Sequence, residues 1–290
     1  MINLRFTHIA AVLAYAFLAA CGQTNTPTKS PDGYDLSNPQ KFNMPESLLE
    51  ISGIQFSKDN SDTVYAVQDE EGKIFRLRLG DDRAKHSKFS KSGDYEDLAI
   101  LKDQMFVLKS NGTIFSFTKP MGEEAGTVNE IKGMLPKGEY EGMFADESDN
   151  RLYVLCKNCK TDKGTSQSTG YILKVESADK LVMEKTFVVN ASEAGNSSGK
   201  KNSRFQPSGL SKNPRTGEWF IISSANNSLI VCDGEFKTKV VYDLNSGSFL
   251  QPEGIAFDIH NNLYISNEGD ELSTGNILKF VYSAQKARKQ

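Results

Sequence analysis

A five-residue phrase rich in acidic and hydroxyl side chains recurs along the 290-residue chain, and it is the part of the sequence best equipped for chemistry. It reads Glu50-Ile51-Ser52-Gly53-Ile54, Asp94-Tyr95-Glu96-Asp97-Leu98, Glu139-Tyr140-Glu141-Gly142-Met143, Gln206-Pro207-Ser208-Gly209-Leu210 and Gln251-Pro252-Glu253-Gly254-Ile255. The third position holds Ser52, Glu96, Glu141, Ser208 and Glu253; the first holds Glu50, Asp94, Glu139, Gln206 and Gln251. On an extended strand these two positions share a face. If the phrases surround one axis, Glu96, Glu141 and Glu253 converge on it. Like charges ~5 Å apart at an effective dielectric of ~20 repel by roughly 3 kcal/mol per pair, so something must offset them. Three remedies are open: a hard cation such as calcium with about six to eight oxygen ligands, raised carboxyl pKa values, or a lysine reaching in. The fourth reading has the carboxylates splayed in solvent or bonded to strand amides.

Gln68, Asp69, Asn267 and Glu268 stand at strand ends, where a channel mouth is lined, and join Glu50 and Glu139 as possible ligands there. As turn formers they would sit in the same places without a function. Other chemistry is missing from the sequence. There is no G-x-S-x-G elbow, H-E-x-x-H pair, P-loop or dinucleotide fingerprint, and no histidine falls in a phrase, which weakens an imidazole-based mechanism. Trp219 lies on an apolar strand and reads as packing. Cys156 and Cys159 end a strand instead of opening a helix, so a redox role like thioredoxin's is not expected. They read as a short structural bridge or as plain thiols, and no histidine is spaced to complete a zinc site.

What positions the phrases is a repeat. Their third positions, 52, 96, 141, 208 and 253, are separated by 44, 45, 67 and 45 residues. Each phrase leads through a polar turn to an apolar strand, such as Val64-Tyr65-Ala66-Val67 or Leu263-Tyr264-Ile265-Ser266, then through a Gly/Asn turn to a second, such as Ile74-Phe75-Arg76-Leu77 or Ile277-Leu278-Lys279-Phe280. A weaker further strand follows in four units, as in 184–189 and 238–242. Four short strands per roughly 45 residues define a propeller blade. The expected fold is therefore all-β: a five-bladed β-propeller of four-stranded antiparallel blades, with six blades as the alternative. The long third interval is assigned to two Ser-, Gly- and Lys-rich loops, 157–169 and 190–203. The fifth unit lacks an outer strand, and the segment Pro39 to Pro45 is spare. It is expected to close the ring as that strand, which removes an exposed edge.

The N-terminus has its own logic. Arg5 precedes an apolar run from Ile9 to Ala20, too short to span a bilayer and laid out as a secretory signal. It ends Leu18-Ala19-Ala20-Cys21-Gly22, which resembles a lipobox, with Cys21 as lipid acceptor. Residues 1–20 are thus read as a lipoprotein signal, 21–33 as a polar flexible tether and 34–290 as the propeller. Lipid on Cys21 would hold the protein at a membrane, expected to be the outer membrane of a bacterial envelope. The whole sequence carries a net charge of −3, and nothing in it forms the basic face that nucleic acid requires. The chain reads as a monomer whose partner is an unidentified ligand or envelope protein.

These phrases, from about Leu48 to Val281, resemble the SdiA-regulated family of bacterial propellers, distant relatives of NHL-repeat proteins. The resemblance rests on Ser52-Gly53, Glu141-Gly142, Ser208-Gly209 and Glu253-Gly254, with Tyr95-Glu96-Asp97-Leu98. It implies a five-bladed propeller with a calcium ion, for which Glu96, Glu141 and Glu253 are the candidate ligands, a cell-envelope location and no established enzymatic activity. Asp97 departs from the pattern where glycine is expected, so the turn in that blade is expected to be built differently. The functional expectation is a non-enzymatic, calcium-binding module; the alternative is a calcium-dependent lactonase- or esterase-like hydrolase in which the metal polarises a carbonyl and activates water.

Overall fold

Alternating, β-branched and aromatic-rich segments bounded by Gly, Asn and Asp pair with their sequence neighbours, β1 excepted, which builds antiparallel meanders one after another. The computed structural model describes residues 29–58, 60–193 and 204–286. Blade I contains β2 (Ile51–Ser57), β3 (Asn60–Gln68), β4 (Lys73–Leu77) and β5 (Lys85–Lys88); blade II contains β6 (Tyr95–Leu101), β7 (Gln104–Lys109), β8 (Ile114–Thr118) and β9 (Asn129–Ile131). Blade III has β10 (Gly138–Asp146), β11 (Arg151–Cys159), β12 (Gln167–Ser177) and β13 (Lys180–Asn190). Blade IV has β14 (Gly209–Lys212), β15 (Trp219–Ser223), β16 (Ser228–Cys232) and β17 (Thr238–Asp243).

Blade V comprises β18 (Pro252–Phe257), β19 (Leu263–Asn267) and β20 (Asn276–Phe280), and its fourth strand is β1 (Gln40–Asn43), antiparallel to β20. The ring is closed by the spare strand, as the sequence requires. The innermost strands touch in the order β2, β6, β10, β14, β18 and back to β2. The fold is a five-bladed propeller.

Five apolar cores lie between the blades rather than at one centre. Leu108, Tyr140 and Leu173 pack between blades II and III, for example, and Trp219, Phe187 and Phe236 between III and IV. The core between IV and V also takes Tyr34 and Leu36 from the N-terminal segment. Packing begins slightly ahead of the boundary drawn at residue 34: Ser30 is buried and its Oγ accepts the Leu36 amide at 2.9 Å. Cys21 and most of the 21–33 segment lie outside the described residues.

The 157–169 segment is the expected solvated loop only in part: residues 163–165 are exposed, while both flanks are ordered. Lys157, Asn158 and Cys159 continue β11, a 3-10 turn occupies Lys160–Asp162, and β12 resumes at Gln167. The reason is a disulfide between Cys156 and Cys159, both buried, with buried Asp162 accepting the Thr169 amide at 2.9 Å. In the second insertion β13 ends at Asn190 and a turn follows. Residues 194–203 lie outside the described residues.

Candidate functional site

The phrase is a β-bulge. In blade I, Ile51 pairs with Gln68 and Ile54 with Ala66, so Ser52 and Gly53 face a single residue. In blade V, Glu253 and Gly254 do the same between the Pro252–Asn267 and Ile255–Ile265 pairs. Glu96 and Glu141 are the extra residues in blades II and III. In blade IV the amide of Ser208 donates to Ile222 O at 2.9 Å although Ile222 is the partner of Gly209. A bulge bends its strand and re-aims a side chain, and all five bulged residues stand on, or directly before, the innermost strand of their blade.

The glycines after them have a steric cause. A Cβ on Gly209 would come within 2.6 Å of the Glu253 carbonyl oxygen, and one on Gly254 within 2.5 Å of the Ser52 carbonyl oxygen. Each blade thus leans its bulge on the backbone of the next. Blade II, with Asp97 in this place, does it differently: Asp97 Oδ1 accepts the Leu98 amide at 2.8 Å and Oδ2 accepts the Met143 amide of blade III at 2.7 Å. Burial pushes this carboxyl well above its usual range, against the pull of the two amides.

A second ring lies alongside the first. Three residues past the cross-strand partner of the phrase's last residue stands Asp69, Ser110, Lys157, Ser224 or Glu268 in blades I to V. The charged members of the two rings influence one another. Burial raises Glu96 to about 10, with Glu141 and Asp94 adding to it. Glu141 is raised to about 7 by burial although Lys157 draws it down. Burial, then Glu141 and Glu268, holds Glu253 well above the carboxylate range, against a hydrogen bond from Ser224. Glu268 reaches about 7 through burial beside Asp69 and Glu50, and Asp69 about 6 through burial beside Glu50.

The three carboxylates singled out in the sequence, Glu96, Glu141 and Glu253, are therefore neighbours, and Glu50, Asp69 and Glu268 complete the same mouth. Glu139 stands at its edge, where Oε2 accepts Asn158 Nδ2 at 2.9 Å. Asn267 is fully buried and bonded to Asn276 at 3.1 Å, so it faces its own blade.

Sequence reasoning passed over Lys157. Its ammonium donates to Glu141 Oε1, and Burial works against its charge while Glu141, Glu253 and Glu96 outweigh that and raise its pKa. The signal was present in the repeat: Lys157 holds in blade III the position that Asp69 and Glu268 hold in blades I and V.

Two of the three remedies for carboxylate repulsion, a lysine and raised pKa values, are thus built into the chain. The third can be tested on the donors that remain. Glu141 Oε2 and Ser52 Oγ are buried without a hydrogen-bond partner, and both residues belong to the first ring. These are hard oxygen donors of the kind calcium takes, so the residues fit a cation in type. The ring carboxylates do not form a tight cage of their own. Among the described residues, the ligand atoms that gather within 4.8 Å are those of Cys156, Cys159 and Asp162, where the sulfurs are bonded to each other.

The other end of the channel differs in kind. Phe56, Phe144, Phe257 and Ile259, with Lys58 and Lys212, line a recess of about 300 Å³. Lys58 spans from blade I to Glu147 of blade III at 2.7 Å, and Lys212 meets Asp146 at 2.8 Å.

Comparison with known proteins agrees with the architecture. The family model described as SdiA-regulated matches residues 40–271. No curated protein matches the sequence. Among solved structures, glutaminyl cyclase from Myxococcus xanthus superposes with a TM-score of 0.55 at 12% identity, covering 84% of this chain and 95% of that one. Regucalcin from Agrobacterium tumefaciens, titled a calcium-binding protein, gives 0.52 at 13% identity, covering 86% and 93%. A luciferin-regenerating enzyme gives 0.51 at 10% identity, covering 84% and 95%. At these identities the likeness is one of fold.

Proposed function

The chain belongs to the SdiA-regulated family, and from that premise we propose that it is an envelope-tethered propeller that holds a calcium ion at its acidic mouth and works as a binding module. The observation that carries the reading is Glu141. Its carboxylate is 6% exposed, one oxygen is engaged by Lys157, and the other is buried without a partner beside Glu96 and Glu253. Leaving such an atom unpaired costs ~1–3 kcal/mol or more, and a cation relieves both that cost and the repulsion. Glu96, Glu141, Glu253 and Ser52 would hold the ion, with Glu50, Asp69 and Glu268 as the outer ligands of the mouth. Bound there, it would supply positive charge and a coordination point for an anionic or carbonyl-bearing ligand. The calcium-binding title of regucalcin is in keeping with this, although the likeness extends only to fold.

The rings hold no imidazole, so a hydrolase here would have to take its base from ring carboxyls such as Glu141 and Glu268, both raised to about 7; binding is preferred because these two already accept from Lys157 and Gln251. Lipid on Cys21, an outer-membrane address, a monomeric state and an envelope ligand or protein as partner are parts of the same proposal.

Thermal melting with chelator and with calcium tests it. A ligand at a hundred times its dissociation constant adds about 2.7 kcal/mol to stability, and Glu141→Gln or Glu253→Gln should remove most of that gain, with Glu253→Gln, which leaves no paired ammonium stranded, also raising the melting temperature in chelator. A parent protein indifferent to millimolar calcium would sink the reading.

A further inference from the structure

Lys157 is placed with unusual care for a lysine. It is the extra residue of a second bulge in blade III: Asn158 pairs with Glu139 and Cys156 with Tyr140, which leaves Lys157 unmatched on β11, against the equally unmatched Glu141 on β10. The disulfide brackets it, because Cys156 and Cys159 enclose only Lys157 and Asn158. Both enclosed residues reach acidic groups of the mouth. Lys157 Nζ donates to Glu141 Oε1 and Asn158 Nδ2 to Glu139 Oε2 at 2.9 Å, while Asn158 Oδ1 accepts from Arg204.

The bridge is itself given room. Gly138 pairs with Cys159, and a Cβ on it would come within 2.7 Å of the Cys159 sulfur. Past the bridge, Asp162 accepts the Thr169 hydroxyl at 2.6 Å and its amide at 2.9 Å, so the chain is fixed on that side as well. Both sulfurs are buried, Cys156 at 0% and Cys159 at 3% exposure, which shields them from a soluble reductant and makes the bridge a clamp and not a redox centre.

Held this way, the ammonium already engages one oxygen of Glu141, a proposed calcium ligand. We infer that Lys157, clamped by the Cys156–Cys159 bridge, is a resident counter-cation of the acidic mouth that competes with metal ions and so sets how tightly the channel binds them. The inference rests on the calcium reading for its ligand but not for the Lys157–Glu141 pair. A divalent ion entering the ring must either displace the ammonium from Glu141 or share the mouth with it. Both weaken binding. The bridge fixes the stretch of backbone from which the Lys157 side chain extends, so the ammonium is presented to Glu141 from a set position although the side chain is 32% exposed. The clamp therefore keeps the ring from collapsing or scavenging metal when no ligand is present, and makes the site respond only to high cation levels or to a ligand that brings its own favourable contacts.

The test is calorimetric titration of calcium chloride into the full-length chain in detergent, comparing the parent with Lys157→Gln, with Cys156→Ser/Cys159→Ser, and with all three changes together. Lys157→Gln should bind calcium at least tenfold more tightly than the parent. Removing the bridge alone should tighten binding at least threefold, and should add nothing once Lys157 is Gln. Equal or weaker binding by Lys157→Gln overturns the competition, and a bridge-free protein that titrates like the parent overturns the clamp. Melting in chelator keeps the pair separate from the metal. Lys157→Gln should lower the melting temperature by several degrees, and adding Glu141→Gln should restore it. If no variant binds calcium, both the calcium reading and the competition fail, and the chelator melts still decide whether Lys157 neutralises Glu141. If the parent binds and Lys157→Gln binds no better, the calcium reading stands and this inference alone is lost.

Discussion

Asp97 and Cys232 show how single side chains carry the ring. Asp97 stands where the other phrases have glycine, and its carboxylate ties blade II to blade III through the Met143 amide. Asp97→Ala removes the acceptor for two buried amides and should destabilise the protein by about 2–4 kcal/mol, read as a shift in the denaturant midpoint; Asp97→Gly, which gives blade II the glycine of the other four phrases, should not recover the loss, because the glycine has no arm to reach Met143. A near-neutral Asp97→Ala would mean that water serves these amides equally well. Cys232 is fully buried beside Thr238, and burial disfavours the thiolate and pushes its pKa up to about 12. It should resist iodoacetamide at pH 8 in the native protein and react once denatured, whereas Cys156 and Cys159 should react only after denaturation and reduction together. Mass spectrometry of the alkylated chain checks both statements, and rapid native alkylation of Cys232 would contradict its burial.

The strands were legible in the sequence for a physical reason. Each blade must present one apolar strand after another to its neighbours, so period and turn chemistry repeat, and five repeats average out local noise. Closure was legible as well, since an unfilled fourth strand and a spare segment occurred once each. Deleting 34–44 removes β1 together with Tyr34 and Leu36 from the core between blades IV and V. It should cost well over about 3 kcal/mol and expose the edge of β20 to aggregation; light scattering and melting of the truncated chain measure this, and parent-like behaviour would deny the strand its role. The acidic ring was legible as residue types at a spacing, but its bulges were not. A bulge is a mismatch between two strands, and a single strand's pattern cannot show it. Lys157 was lost for a related reason: the Ser- and Gly-rich stretch beyond it looks like a loop, and only the disulfide, which draws Lys157 to Cys159 back into β11, shows that it is strand. The two cysteines were read as a bridge or as thiols. Their consequence for the lysine between them required three dimensions.

For the molecule as a whole, the anchor and the channel are related by where the chain enters the ring. The anchor itself is tested by Cys21→Ser, which should abolish radiolabelled palmitate incorporation and leave the signal uncut; normal labelling of that variant would reject the lipoprotein reading. The described part of the entering segment is pinned at the end of the channel that holds the recess. The Tyr34 hydroxyl donates to Asn261 O at 2.8 Å and accepts from Asn261 Nδ2 at 2.7 Å and Asn213 Nδ2 at 3.3 Å. Both asparagines lie in the turns that follow the inner strands β18 and β14, beside the phenylalanine- and lysine-lined recess and at the opposite end from the glutamates. From Cys21 to Lys29 an extended chain reaches no more than about 30 Å. A lipidated Cys21 would therefore act as a short leash tied to one pole of the disc: Lys58 and Lys212 would look toward the phospholipid headgroups, and the glutamate mouth would open into the aqueous space beyond, upright with respect to whatever diffuses past. Cysteines introduced at Ile259 and Ser273 report this directly. In membranes a bulky maleimide should modify position 273 much faster than position 259, and equal rates would show that the leash leaves the disc free to tumble.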